Sequence, residues 1–364
     1  MNFVIALSKL DWTLILSVFV LSCLGLVSIY SSSLPEGDFL NFKKQILFIG
    51  LGILLMTGIG FLDFRPLRAN PYLLFSLYLL GILSLIGVLF WGTVIRGVKG
   101  WYRLGVFSFD PVPLVVLILI FILAKYFSRY HVEIYKLWHL FFSFLYVFLP
   151  ALLILLQPDL GSSICLLFVW LGVIIFSGIK IRHFLLLLIL LTIVLWLSWL
   201  FFLQDYQEAR IITFLNPETD PRGAGWNVNQ AKIAIGAGGL WGKGFGKGSQ
   251  AQYGFLPEAQ TDFIFPAIAE ETGFFGVSFL FILYGILFWR IIRIARNARS
   301  NFVRIFSLGF VFFLVAKTFI NIGMSLGILP VVGIPLPFVS YGGSEILALF
   351  LGLGVLQSFK IHQG

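Results

Sequence analysis

Ten stretches of this chain are apolar for long enough to cross about 30 Å of hydrocarbon as helices, at roughly 11–31, 44–62, 71–91, 109–127, 137–156, 159–178, 183–203, 262–290, 302–327 and 343–360. That feature excludes most folds. Inside a bilayer every backbone N–H and C=O needs an internal partner, which leaves helices and closed barrels. Barrel strands alternate in polarity over about ten residues, and these stretches do not. The expected fold class is therefore all-α: a polytopic membrane bundle forming a single domain over 1–364, with a large loop at 204–261 between the seventh and eighth spans. Composition agrees, since 11% of residues are charged against about 25% in a soluble domain.

Lys9 precedes the first span and no small-residue cleavage site follows it, so it reads as a retained helix and not a removed signal peptide. Ten spans put both termini on one side. With the N-terminus in the cytoplasm, the inner segments carry 14 Lys and Arg, and the short outer loops carry five: Lys43, Lys44, Arg96, Lys99 and Arg103. The positive-inside rule selects that orientation in the cytoplasmic membrane and turns the 204–261 loop outward. The five arginines between spans eight and nine, Arg290 to Arg304, then meet anionic lipid headgroups.

The formal charge of +9 is thus mostly topological. A nucleic-acid partner would need a basic patch interleaved with exposed aromatics, and none is visible. Cys23 and Cys165 sit inside apolar spans as small hydrophobes. His131, His139, His183 and His362 fall on or near the cytoplasmic side without metal-ligand spacing. No repeat of a solenoid period is present, and no inverted repeat of the transporter kind is evident.

Chemistry should lie outside. Eight of the sixteen carboxylates fall between Asp205 and Glu271. Three outer segments break the apolar pattern: 96–111, the 204–261 loop with a helix-compatible stretch near 229–237, and 327–344. The Pro and Gly density of the last predicts an unwound backbone, tolerated at membrane depth only where protein or a cavity surrounds it.

The glycine run 236–248 fails the P-loop pattern, because Gly244 follows Lys243 where Ser or Thr would bind magnesium, and Ala237 stands where the opening Gly belongs. What survives is a flexible cationic loop: a plain surface loop, or one lying against a diphosphate through backbone N–H groups and Lys243 or Lys247. Asp262 opens the eighth span. It is either an N-cap or a general base tuned by partial burial and nearby cations. Glu270 and Glu271 lie about 12–14 Å deeper and must face the bundle interior. Trp101 is either an interfacial anchor or a platform for a sugar ring. Lys44, Arg96 and Arg210 are either snorkelling anchors or a clamp for pyrophosphate.

The whole chain resembles the SEDS polymerases (shape, elongation, division and sporulation). The motifs that carry the resemblance are Gln157-Pro-Asp-Leu-Gly161, Asp220-Pro-Arg-Gly-Ala-Gly-Trp-Asn227, Gly242-Lys-Gly-Phe-Gly246, Leu256-Pro-Glu-Ala-Gln-Thr-Asp-Phe-Ile-Phe265 and Pro335-Leu-Pro-Phe-Val-Ser-Tyr-Gly-Gly-Ser344. Two of them, Gly-Trp-Asn and Gly-Lys-Gly-Phe-Gly, favour the elongation (RodA) branch over the division branch. The resemblance implies a peptidoglycan glycosyltransferase that polymerises lipid II into glycan strands at the outer face of the cytoplasmic membrane. Its implied partner is a class B penicillin-binding protein acting as transpeptidase. By motif Asp262 matches the family's essential aspartate and Trp101 its important tryptophan. Lys44, Arg96, Lys99, Arg210, Lys243 and Glu258 are expected to complete the substrate-binding set. Lys44 stands where relatives carry Arg, keeping charge but losing bidentate geometry.

The start of the fourth span departs from the family pattern. Pro113 replaces a Glu and Val116 a Lys, while Glu345 replaces a Ser at the top of the tenth span. Asp110 or Glu345 is expected to fill the vacated acidic position beside the Asp262 cavity. One base suffices for the implied reaction, because undecaprenyl pyrophosphate leaves without the protonation that glycoside hydrolysis requires. Cations, with a divalent ion such as Mg or Mn as a further possibility, would stabilise the departing diphosphate. Two other readings stay open: a lipid II flippase, which needs ionisable residues through the whole membrane depth, and an inactive scaffold for the transpeptidase.

Overall fold

The computed structural model describes residues 9–95, 97–105, 107–130, 137–201, 212–214, 216 and 223–362. In chain order the elements are α1 (Trp12–Ser33), α2 (Leu40–Gly60), α3 (Arg65–Ala69), α4 (Pro71–Trp91), β1 (Thr93–Ile95), β2 (Val98–Leu104), β3 (Phe107–Phe109), α5 (Val112–Tyr130), α6 (Leu137–Leu155), α7 (Leu160–Phe176), α8 (Ile181–Phe201), α9 (Ala224–Gly238), α10 (Ser249–Gln252), α11 (Ile264–Arg296), α12 (Asn301–Ser325) and α13 (Gly343–His362). Apolar helices occupy the ten expected places. Eight are long and apolar enough to span a membrane on those grounds alone. Of the other two, α7 has 17 residues, a rise of about 26 Å, and α8 meets the test over too short a described stretch, 181–193.

Helix starts follow local chemistry. Asp11, Asn70 and Asp159 each accept a backbone N–H of the first turn of α1, α4 and α7, and Pro71 occupies the first turn of α4, where a missing N–H costs nothing. The core lies where α12 packs against α5, α7 and α11 and α13 packs against α2. Phe121, Phe306 and Phe359 interlock there at ring-centroid distances of 4.5 and 5.3 Å. Backbones also touch directly: a Cβ on Gly25 would sit 2.2 Å from the carbonyl oxygen of Val339. Lipid tails are as apolar as side chains, so close approach of this kind is what holds membrane helices together. At one end of the bundle, buried Asp11 joins α1 to α11 and α13 through Arg290 (2.9 Å) and Lys360 (3.2 Å).

Among the described residues the strands form one three-stranded antiparallel sheet, β1-β2-β3, built from the turn-rich segment after α4. Its register sets Thr93 opposite Trp101 and Tyr102 opposite Phe109. Tyr102 turns back onto α4, donating from its hydroxyl to the Ser84 carbonyl (2.7 Å). Trp101 and Arg103 therefore project from the opposite face of β2.

α11 is two half-helices. Gly273, at φ 64° and ψ −163°, breaks it where only glycine is comfortable, and the break orphans backbone groups on both sides. The glycine loop takes them up. Lys243 N donates to Glu270 O (2.9 Å) and Gly244 N to Glu271 O (3.0 Å), while Phe274 N and Phe275 N donate to Gly239 O and Leu240 O (2.9 and 3.3 Å). Side chains complete the lock. Glu270, fully buried, accepts from Lys243 Nζ (2.9 Å), Ser249 Oγ (3.1 Å) and Gln250 N (3.1 Å), and Glu271 pairs with Ser31 Oγ and Gly246 N. The free cationic loop expected from the sequence is thus docked onto α11, because the broken helix needs its amides. The helix-compatible stretch near 229–237 lies inside α9, which also packs on α11.

Residues 327–342 have no helix or strand, and 336–340 within them are buried. Tyr284 Oη donates to Pro337 O (2.6 Å) and Gln45 Nε2 to Ser340 O (3.0 Å), so polar backbone at membrane depth is satisfied by protein, as expected.

Candidate active site

Asp262 lies two residues before the first residue of α11, and the N-cap position falls on Phe263, with no side-chain cap. The capping role therefore does not belong to Asp262. Its backbone is held residue by residue. Tyr341 N donates to Gln260 O (2.8 Å), Ser340 Oγ to Thr261 O (2.6 Å) and Asn321 Nδ2 to Asp262 O (2.9 Å). Three consecutive carbonyls are thus occupied by α12 and the 336–341 segment. The carboxylate lies against Gly333, where an added Cβ would come 3.4 Å from Asp262 Oδ2. Asp262 remains partly exposed while Phe263 and Ile264 beside it are buried.

Glu258 shapes the turn that delivers this aspartate. Its φ of 51° is left-handed, uncommon for a residue with a Cβ. Its carbonyl accepts from Thr261 N (3.0 Å) and Phe263 N (3.2 Å), and its carboxylate from Thr261 Oγ1 (3.1 Å). Gln260 fastens the same turn to the end of α1 through Ser33 (3.2 Å) and to the start of α2 through Asn41 (2.8 Å). A carboxylate on a backbone held at three successive carbonyls has a fixed position, which is what a group exchanging protons with a substrate requires.

The family described as cell cycle protein, FtsW/RodA/SpoVE, matches residues 11–363. The chain belongs to this family. It is 37% identical over 355 residues to the peptidoglycan glycosyltransferase MrdB of Escherichia coli K12, covering 97% of this chain and 94% of that one. It is 36% identical to stage V sporulation protein E of Bacillus subtilis, covering 95% of each. A chain from a peptidoglycan synthase complex studied for its coordination of polymerization and crosslinking superposes with a TM-score of 0.85 at 32% identity, covering 97% of this chain and 98% of that one. The rod shape determining protein RodA of Thermus thermophilus gives 0.72 at 32% identity and 96% of each chain.

The family motifs acquire local reasons. In Gln157-Pro-Asp-Leu-Gly161, buried Gln157 ties the sheet to α4 by accepting from Lys99 N (3.3 Å) and donating to Leu85 O (3.2 Å), Asp159 caps α7, and Gly161 leaves room for the backbone at Val332, 2.8 Å from where a Cβ would stand. Of the expected substrate-binding residues, Trp101 is half-buried on β2. Lys44 lies in the second turn of α2 beside Gln45, whose amide bridges Ser340 and Gly342. The Lys99 ammonium donates to Leu89 O (2.6 Å) at the end of α4, and Lys243 is engaged with Glu270. Arg96 and Arg210 lie outside the described residues.

Asp110 and Glu345 are drawn together. Glu345 forms an ion pair with Lys317 of α12 at 2.6 Å, with the two side chains only 13% and 8% exposed. Asp110 donates its N–H to Ser344 Oγ (2.9 Å), next to Glu345. It lies just before α5, outside the span, and its carboxyl is pushed up to about 7 by burial and by the Asp159 and Glu345 charges, against the opposing pull of Val112 N–H and Lys317. Lys317 and Asn321 are the polar residues that reading the sequence missed. The signal was available, since an ionisable side chain inside an apolar span marks a functional candidate, and Asn321 follows one turn later on the same face.

Proposed function

We propose that this chain is a peptidoglycan glycosyltransferase that polymerises lipid II, with Asp262 as general base. The observation that carries the reading is a partly exposed carboxylate on a backbone fixed at three successive carbonyls. Near-full-length identity to a peptidoglycan glycosyltransferase supports it. Asp262 accepts the proton of the acceptor sugar's 4-hydroxyl as that oxygen attacks the donor's anomeric carbon. The new C–O bond forms with inversion as the bond to undecaprenyl pyrophosphate breaks, and the diphosphate carries away the electron pair without needing a proton. Cationic side chains near the outer mouth, with Lys44 on α2 as the candidate, offset its charge.

Among the described residues no three His, Cys, Asp or Glu side chains group so as to hold a metal ion. Those residues do not form a cage for Mg or Mn, and the steps above run through none. A structural relative belongs to a complex in which polymerization and crosslinking are coordinated, which supports a class B penicillin-binding protein as partner. The active face is extracytoplasmic and both termini are cytoplasmic, by the distribution of Lys and Arg.

Purified protein incubated with its partner and labelled lipid II tests this reading. The wild type should yield polymer and Asp262→Ala none, with insertion and folding retained. Polymer from the Asp262→Ala variant would remove Asp262 from the mechanism. Flipping without polymer would favour the transporter reading, and neither outcome the scaffold.

A further inference from the structure

Lys317 lies eight residues before the outer end of α12, in a neighbourhood shared with carboxylates from three helix starts. Glu345 sits in the first turn of α13, 2.6 Å away. Asp159 is the N-cap of α7 and Asp110 lies two residues before α5, and both belong to the same electrostatic group as Lys317 and Glu345. Helix N-termini favour carboxylates. The Lys317 ammonium also rests over the Phe313 ring at 5.4 Å. Exchanging a buried ion pair for apolar packing is often neutral or stabilising, so stability alone is a poor account of it.

The cluster adjoins the seat of Asp262. Asn321, one turn beyond Lys317, donates to both Asp262 O (2.9 Å) and Ile334 O (2.7 Å). Gly161, two residues after Asp159, abuts Val332 and Ile334, and Gly333 between them touches the Asp262 carboxylate. We infer that Lys317 is a positioning residue for Asp262. Its ion pair with Glu345 draws the outer ends of α5, α7 and α13 onto α12, and so fixes Asn321 and the 332–334 backbone against which the carboxylate rests. The inference rests on Asp262 being the base of the proposed reaction.

The test is lipid II polymerisation with the partner present, measured as a pH profile for the wild type, Lys317→Met, Lys317→Arg, Glu345→Gln and Asp110→Asn. Lys317→Met should lower kcat at least about tenfold while KM changes by less than about threefold, and Lys317→Arg should stay within about threefold of the wild type. The groups facing Asp110 are Lys317 on α12, Glu345 on α13 and Asp159 on α7. Its inflection near pH 7, absent in Asp110→Asn, should move up in Lys317→Met, where an attraction is lost, and down in Glu345→Gln, where a repulsion is lost. A merely structural lysine would lower the melting temperature in Lys317→Met and leave kcat unchanged where the variant is folded. Should Lys317→Met fail to fold, Glu345→Gln breaks the same ion pair, and a kcat within about threefold of the wild type there overturns the inference. Wild-type rates in Lys317→Met overturn it as well. Absence of polymer from the wild type would instead sink the proposed function, and this inference with it.

Discussion

Asn321 donates from one amide nitrogen to both Asp262 O and Ile334 O, at 2.9 and 2.7 Å, and so joins the segment that carries the carboxylate to the segment that lies against it. Replacing Asn321 by Leu keeps the branched heavy-atom skeleton of the side chain and removes both bonds. Each buried carbonyl left alone costs about 1–3 kcal/mol. A loss of activity of about tenfold or more in kcat, beyond any fall in melting temperature, is the expected result. A variant that melts earlier yet turns over normally would make Asn321 a purely structural clamp.

Gly273 should tolerate no side chain. Its backbone conformation is all but confined to glycine, and a Cβ there would lie 2.3 Å from Gly242 N. Gly273→Ala is expected to cost about 3 kcal/mol or more, from a disfavoured φ/ψ and a displaced glycine loop. Thermal unfolding in detergent reads the loss, and an unchanged midpoint would show that the break in α11 does not depend on this residue.

The docked loop makes opposed predictions for Lys243. If its ammonium serves Glu270, Lys243→Met lowers the melting temperature and leaves KM alone. A lysine that binds diphosphate would raise KM at constant stability. The first outcome is expected. Breaking a buried pair costs about 3–5 kcal/mol, reduced here because the Lys243 side chain is 32% exposed.

Stability should fall between about pH 4 and about pH 7 on account of Asp110. Its carboxyl titrates near 3.8 when unfolded and near 7 when folded, so across that window the native state holds a proton that the unfolded chain has released. Stability then declines with rising pH and levels off above 7. Melting temperatures across this range should show the decline in the wild type and lack that component in Asp110→Asn. Parallel curves for the two would exclude it.

The helical membrane class and the ten apolar stretches were legible in the sequence, and so was Asp262 as a carboxylate at the mouth of a span. Span length and polarity are local properties that the bilayer enforces residue by residue. The Gly and Pro density of 327–342 likewise announced an unwound segment before any neighbour was known. What the sequence did not disclose is which distant group each polar residue meets. The glycine run looked like a mobile loop because the break at Gly273, whose orphaned amides and carbonyls it satisfies, exists only in three dimensions. Lys317 gave a local signal, but its partner lies 28 positions away on another helix and its other neighbours open two more. The seat of Asp262 was equally hidden, since Asn321 stands 59 residues from it and Ser340 stands 79 from Thr261. Hydrophobic length fixes which segments cross the membrane, whereas the direction of a buried hydrogen bond or ion pair is set by how the helices pack, and that only the tertiary structure decided.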